Sequence, residues 1–121
     1  MALTVPDFDE ALAFYRDSLG LVQIADWSTD GGRVILLEAG RATLELFDEA
    51  QAATVDQIEA GSRVSGSVRF ALEVADSEST ADALVAASAE RVAPPVSPPW
   101  GGRNARVRAP DGMQLTLFTA D

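Results

Sequence analysis

Leu3-Thr4-Val5-Pro6-Asp7 and Leu72-Glu73-Val74-Ala75-Asp76 are the same phrase written twice, at an offset of 69, and each is followed by an Ala-rich stretch with helical character. Two further matches come in the same order. Gly31-Gly32-Arg33 returns as Gly101-Gly102-Arg103 at an offset of 70, and Leu44-Glu45-Leu46-Phe47 returns as Leu115-Thr116-Leu117-Phe118 at 71. Any one of these would mean little; three in order, with the offset drifting by one residue each time, describe a duplicated supersecondary unit.

Local chemistry spells out the unit. Residues 2–5 alternate as a short strand, after which Asp7, with Glu10 three residues on, caps a helix whose Phe8, Leu12, Tyr15 and Leu19 share a face and whose end falls at Gly20. Strands are expected at about 22–28, 32–38 and 42–47, separated by Thr29-Asp30-Gly31-Gly32 and Ala39-Gly40-Arg41. Asp48–Gly66 reads as a less regular connector. The second unit is expected as a strand at 67–74, a helix at 77–89 opened by Asp76, a rigid proline-rich edge or loop at Pro94–Pro99, and strands at 104–109 and 114–118 around Pro110-Asp111-Gly112. The expected fold class is therefore α+β: one domain over 1–121, with a first βαβββ module at about 1–48, a connector at about 49–66 and a second module at about 67–121. Together they make a curved, cup-like mixed sheet with helices outside.

Strand alternation assigns two faces. Leu3, Val5, Leu44, Leu46, Phe70, Leu72, Val74, Ala105, Val107, Leu115 and Leu117 form the side for helices to cover. The other side carries Thr43, Glu45, Phe47, Arg69, Glu73, Asn104, Arg106, Arg108, Gln114, Thr116 and Phe118. Curled around that second face, the sheet would enclose a cup lined by acids, arginines and two phenylalanines, the kind of concavity that takes a small molecule. Left flat, it would be the solvated side of an antiparallel sheet.

Composition narrows the chemistry. With 121 residues, 47% of them hydrophobic, the chain has the size of one domain. It has no Cys and no His, and all nine basic residues are Arg. Thiolate and Schiff-base nucleophiles, the usual zinc sites and an imidazole base are excluded, so catalysis would fall to carboxylates, Arg, Tyr15 or hydroxyls. A net charge of −10 would repel nucleic acid and anionic lipid and favours a neutral or cationic partner. No apolar run has the roughly 18 residues of a membrane span and the first residues lack the pattern of a signal peptide, so a cytoplasmic protein is expected.

The opening Leu3–Asp7, with Phe14-Tyr15-Arg16-Asp17-Ser18-Leu19-Gly20-Leu21, the segment Arg69-Phe70-Ala71-Leu72-Glu73-Val74, and the closing Pro99-Trp100-Gly101-Gly102-Arg103 with Ala109-Pro110-Asp111-Gly112 resemble the glyoxalase / bleomycin-resistance (vicinal oxygen chelate) superfamily along nearly the whole chain. The resemblance implies a metal position built from four side chains. Carried over, Glu45 matches one acid, Arg69 stands at the usual His position, Thr116 stands at the final Glu position, and the opening-strand ligand would precede Met1. One carboxylate cannot offset the dehydration of a divalent ion, and a guanidinium cannot coordinate one, so no metal or other cofactor is expected. A Glu45–Arg69 pair across the cup is expected to take the ion's place.

The resemblance to bleomycin-resistance proteins implies a homodimer that sequesters a cationic aromatic small molecule in a groove between subunits. Glu45, Phe47, Arg69, Glu73, Trp100, Arg106, Thr116 and Phe118 are then the candidate binding residues, with Trp27 a further stacking surface. Trp27 and Trp100 read equally as packing residues. The alternative implied by the fold is a lyase, isomerase, epimerase or dioxygenase-like enzyme with Glu45 or Glu73 as base and Arg69 or Arg106 holding an anionic substrate.

Overall fold

A computed structural model describes residues 1–121. Its elements are β1 (Ala2–Thr4), α1 (Phe8–Leu12, prolonged by a π-helical turn over Ala13–Ser18), β2 (Gln23–Asp26), β3 (Val34–Ala39), β4 (Ala42–Phe47), α2 (Glu49–Ala60), β5 (Val68–Glu73), α3 (Ser77–Ala86), β6 (Glu90–Val96), β7 (Arg103–Arg108) and β8 (Gln114–Thr119). None of the helices is long and apolar enough to cross a membrane.

The strands form one sheet in the order β2-β3-β4-β1-β5-β8-β7-β6. Read inward from each edge, the order is the same: β2-β3-β4-β1 from one side, β6-β7-β8-β5 from the other. The duplication in the sequence is thus a duplication in space. In both halves the first strand runs parallel to the last, and the halves meet where β1 and β5 pair antiparallel through Ala2↔Arg69 and Leu3↔Val68.

The repeated phrases do equivalent work in each half. Asp7 accepts from the Glu10 N–H at 3.0 Å and Asp76 from the Ser79 N–H at 3.0 Å, each opening its outer helix. Arg33 reaches back to Asp9 at 2.8 Å with its guanidinium over the Phe8 ring, and Arg103 reaches back to Glu78 at 2.8 Å. Both arginines tie a strand start to the first turn of the outer helix of their own half.

The outer face holds two apolar clusters, one per half. Phe8 and Leu12 pack on Ile35, Leu37, Leu44 and Leu46, with Leu3, Val5 and Tyr15 at the margin. Ala81 packs on Ala105, Val107 and Leu117, with Val74 and Leu115. Two expected members are missing. Phe70 and Leu72 are 40% and 47% exposed, because α1 sits over β3 and β4 and α3 over β7 and β8, leaving the central strand β5 bare between them. Leu19 also departs from the face shared by Phe8 and Leu12: the π turn, with Leu19 N–H donating to the Phe14 carbonyl, widens the helix end and swings Leu19 outward.

The largest departure from the sequence reading is the connector. Asp48–Gly66 is not irregular: it contains the twelve-residue helix α2, capped by Asp48 on the Gln51 N–H at 2.8 Å and closed by Gly61 in the left-handed conformation. This helix lies on the inner face, where Ala52 and Val55 pack with Ala2, Val34, Leu36 and Phe47. The cup is therefore filled from within the chain. The proline-rich stretch is partly strand: Pro94 and Pro95 belong to edge strand β6, whose register against β7 slips on both sides of Ala93. Prolines are tolerated there because they withhold only ladder hydrogen bonds that an edge can spare.

Candidate functional site: a buried guanidinium at the centre of the cup

Period-two alternation puts Arg69 on β5, Arg106 on β7 and Gln114 and Thr116 on β8 side by side on the floor of the cup, with Arg106 opposite Thr116 and Arg69 opposite Gln114. From above, α2 lowers Asp56 and Glu59 onto them. All six of these residues are buried.

Arg106 is the hub. Its side chain has no exposure to solvent, and it donates to Asp56 Oδ1 at 2.9 Å, Ser65 Oγ at 2.8 Å, Glu59 Oε1 at 3.0 Å and Thr116 Oγ1 at 3.2 Å. The Thr116 hydroxyl accepts a second bond from Arg69 Nη1 at 2.7 Å and donates its proton to Glu59 Oε1 at 2.8 Å, so both lone pairs and the hydrogen are used. Glu59 Oε2 accepts from Asn104 at 3.3 Å.

Asp56 is the most heavily solvated carboxylate of the chain, although the solvating groups are protein. Beyond Arg106 it accepts from the Val64 and Ser65 N–H groups at 2.9 and 2.8 Å, from Ser65 Oγ at 2.7 Å and from Arg63 at 3.1 Å. Burial pushes its carboxyl up, but the bonds from Ser65, Arg106 and Val64 outweigh that and hold it at about 2. A buried ion network is stable only when its members are satisfied, and Arg106, Asp56, Glu59 and Thr116 meet that condition.

The expected Glu45–Arg69 pair does not form. The two flank Ala2 in register on β4 and β5, with β1 between them. Arg69 turns to Thr116, no Glu45 oxygen comes within ion-pair reach, and the carboxylates that meet a guanidinium at the centre are those of Asp56 and Glu59. Glu45 is left half-buried with no hydrogen bond. Burial raises its pKa, and the Arg69 charge only partly opposes this. Burial likewise lowers that of Arg69.

Of the remaining candidates, Phe47 is buried under α2, Glu73 and Phe118 lie side by side in register further along the floor, exposed and half-buried respectively, and Trp100 stands apart in the turn before β7. Trp100 is 56% exposed and Trp27 57%, so neither is a core plug. Sequence reasoning missed Asp56, Glu59, Arg63 and Ser65 altogether, having read no helix there.

The residues at the centre do not fit the divalent ion implied by the sequence resemblance. Glu45 is the single acid among the matched positions, the centre is already held by a guanidinium, and no three acid, His or Cys side chains gather anywhere in the chain. What space remains is a cleft between β1, β4, β5 and α2 with a free volume of about 10 Å³, the room of one water molecule.

A family model described as Glyoxalase/Bleomycin resistance protein/Dioxygenase superfamily matches residues 1–117. No curated protein matches the sequence. Among solved structures, a hypothetical protein from Bacillus halodurans C-125 is similar with a TM-score of 0.71 at 19% identity, covering 99% of this chain and 91% of that one. A methylmalonyl-CoA epimerase from Mycobacterium tuberculosis gives 0.65 at 18%, covering 99% and 85%. A member of the glyoxalase/bleomycin resistance protein/dioxygenase superfamily from Vibrio splendidus 12B01 gives 0.68 at 17%, covering 98% and 94%. At these identities the likeness is one of fold.

Proposed function

Since the chain belongs to the Glyoxalase/Bleomycin resistance protein/Dioxygenase superfamily, we propose that it is a metal-independent, small-molecule-binding member that sequesters a cationic aromatic, antibiotic-like ligand. The observation that carries the first half of this reading is Arg106, a guanidinium with no exposed side-chain surface, tied to two carboxylates of the same chain. The second half is supported by the net charge of −10 and by the two largely exposed indoles, which offer flat faces for stacking.

The reading includes a homodimer. The bare strip of Phe70 and Leu72 between α1 and α3 supplies an apolar surface that a second copy would cover. Sedimentation of the protein as a monomer at tens of micromolar removes this part.

The test is a melting-temperature screen against divalent metals and a panel of cationic aromatic antibiotics that includes bleomycin, because a compound binding only the folded state raises its stability. A rise with a panel compound and none with a metal is expected. Trp100→Ala should then weaken binding by about 1 kcal/mol or more while leaving the melting temperature of the free protein unchanged. A rise with a metal ion would return the protein to the metalloenzymes of its fold.

One observation favours an enzyme instead. Glu45 is a half-buried carboxyl with a raised pKa, free of hydrogen bonds, with Arg69 across Ala2 to hold an anionic substrate. Methylmalonyl-CoA epimerases stand among the structures of like fold. This lyase- or isomerase-like reading expects solvent deuterium to enter a C–H acid with the native protein and not with Glu45→Gln.

A further inference from the structure

Arg69 is a buried cation without a counter-ion. It is 6% exposed, its one hydrogen bond goes to the neutral hydroxyl of Thr116, and no carboxylate comes within ion-pair distance because Asp56 and Glu59 are taken by Arg106. A guanidinium carries five N–H donors. All but one lack a protein partner, in surroundings where an unmatched charge is costly.

Arg69 forms one wall of the water-sized cleft noted above. The other walls are the apolar Ala2, Phe47, Ala52 and Val55, Ser65, whose hydroxyl is engaged by Asp56 and Arg106, and Thr4, whose hydroxyl lacks a protein partner. Asp56 borders the cleft too, but its oxygens are engaged by Arg63, Arg106, Val64 and Ser65. At the rim is Gly66, beyond whose Cα there is open space.

We propose that this cleft receives the carboxylate end of a small organic acid, one oxygen accepting from Arg69 and from the Thr4 hydroxyl while the rest of the molecule leaves past Gly66. The inference rests on the small-molecule-binding reading and adds the chemistry of one end of a ligand. The free volume admits a single oxygen, so the rest of the carboxylate lies toward the rim. A cation with free N–H donors and an unpartnered hydroxyl lining one cleft are donors of the kind a carboxylate accepts from.

The experiment follows the backbone amide resonances of Thr4 and Gly66 and the Arg69 Nε–H while sodium formate, acetate, propionate or bromide is added at constant ionic strength. Saturable shifts with the carboxylates are expected, weakened about tenfold in Arg69→Gln, as loss of a charge-assisted bond predicts, and several-fold in Thr4→Val. Thr4 lies outside the buried ion network, so its variant tests the site even if Arg69→Gln fails to fold. Non-saturating shifts, equal affinity in Thr4→Val, or saturation by bromide alone would each overturn the proposal. If the carboxylates fail while an antibiotic of the panel binds, only this inference falls; if they bind while the panel fails, the cationic ligand falls and the carboxylate site stands.

Discussion

Arg106→Leu is expected to remove about 3–5 kcal/mol of folding stability, the cost of taking away one partner of a buried ion network while the others stay. The loss comes from what remains: Asp56 and Glu59 are still carried into the cup by α2, and Thr116 loses a donor. The variant has a pH signature. In the native protein Asp56 is held at about 2 against an ordinary value of 3.8, so its contribution is complete above about pH 4 and is lost as the pH falls from there toward 2. Without Arg106 the same carboxyl is harder to ionise in the fold, so acid relieves the variant while it weakens the native protein. Urea unfolding at pH 7 and at pH 3.5 should show the gap between the two narrowing on acidification. A gap under about 1 kcal/mol at pH 7 would mean that the network contributes little beyond apolar packing.

The second large effect belongs to a position with no charge. Gly32 lies in the turn between β2 and β3 at φ +149, and a Cβ there would come 2.2 Å from the backbone nitrogen of Gln51 and 2.5 Å from its Cα. Neither atom can swing aside, since both are in the first turn of α2. Gly32→Ala must therefore pry the turn off the helix, also straining the neighbouring bond from Thr54 Oγ1 to the Gly31 carbonyl at 2.8 Å. A cost of about 3–5 kcal/mol is expected, combining an unfavourable φ with overpacking. Gly40→Ala is the control: φ is +70 and nothing lies within 4 Å, so only the backbone term of about 1–2 kcal/mol applies. Melting temperatures of the two variants decide the matter. Equal losses would show that the turn and α2 are not locked together.

The fold was legible wherever one residue type answers to one local demand. Asp7 and Asp76 cap their helices, Gly20 ends the first, and alternation assigned Arg69, Arg106, Gln114 and Thr116 to one face. The helix α2 was not legible by the same means, because its buried positions are Ala52, Val55, Asp56 and Glu59: two of the four are acids, and a helix that buries acids has no apolar stripe to detect. Its caps, Asp48 and Gly61, were the signal available. The partners of Arg106 were hidden for a related reason. They lie 50 and 47 residues away, on an element that had not been read as one. Phe70 and Leu72 show the opposite limit, since alternation gives the face of a strand but not whether a helix will reach it.

A cation that is part of the polypeptide behaves differently from one that is borrowed. A bound metal can be stripped by a chelator, diluted away, or exchanged for a competitor that binds the same ligands more tightly. Arg106 is part of the covalent chain and is subject to none of these. The positive charge at the centre of this cup is therefore in place as soon as the chain folds. The corresponding cost is permanence: a charge supplied by the chain's own side chain is not added or withdrawn by loading.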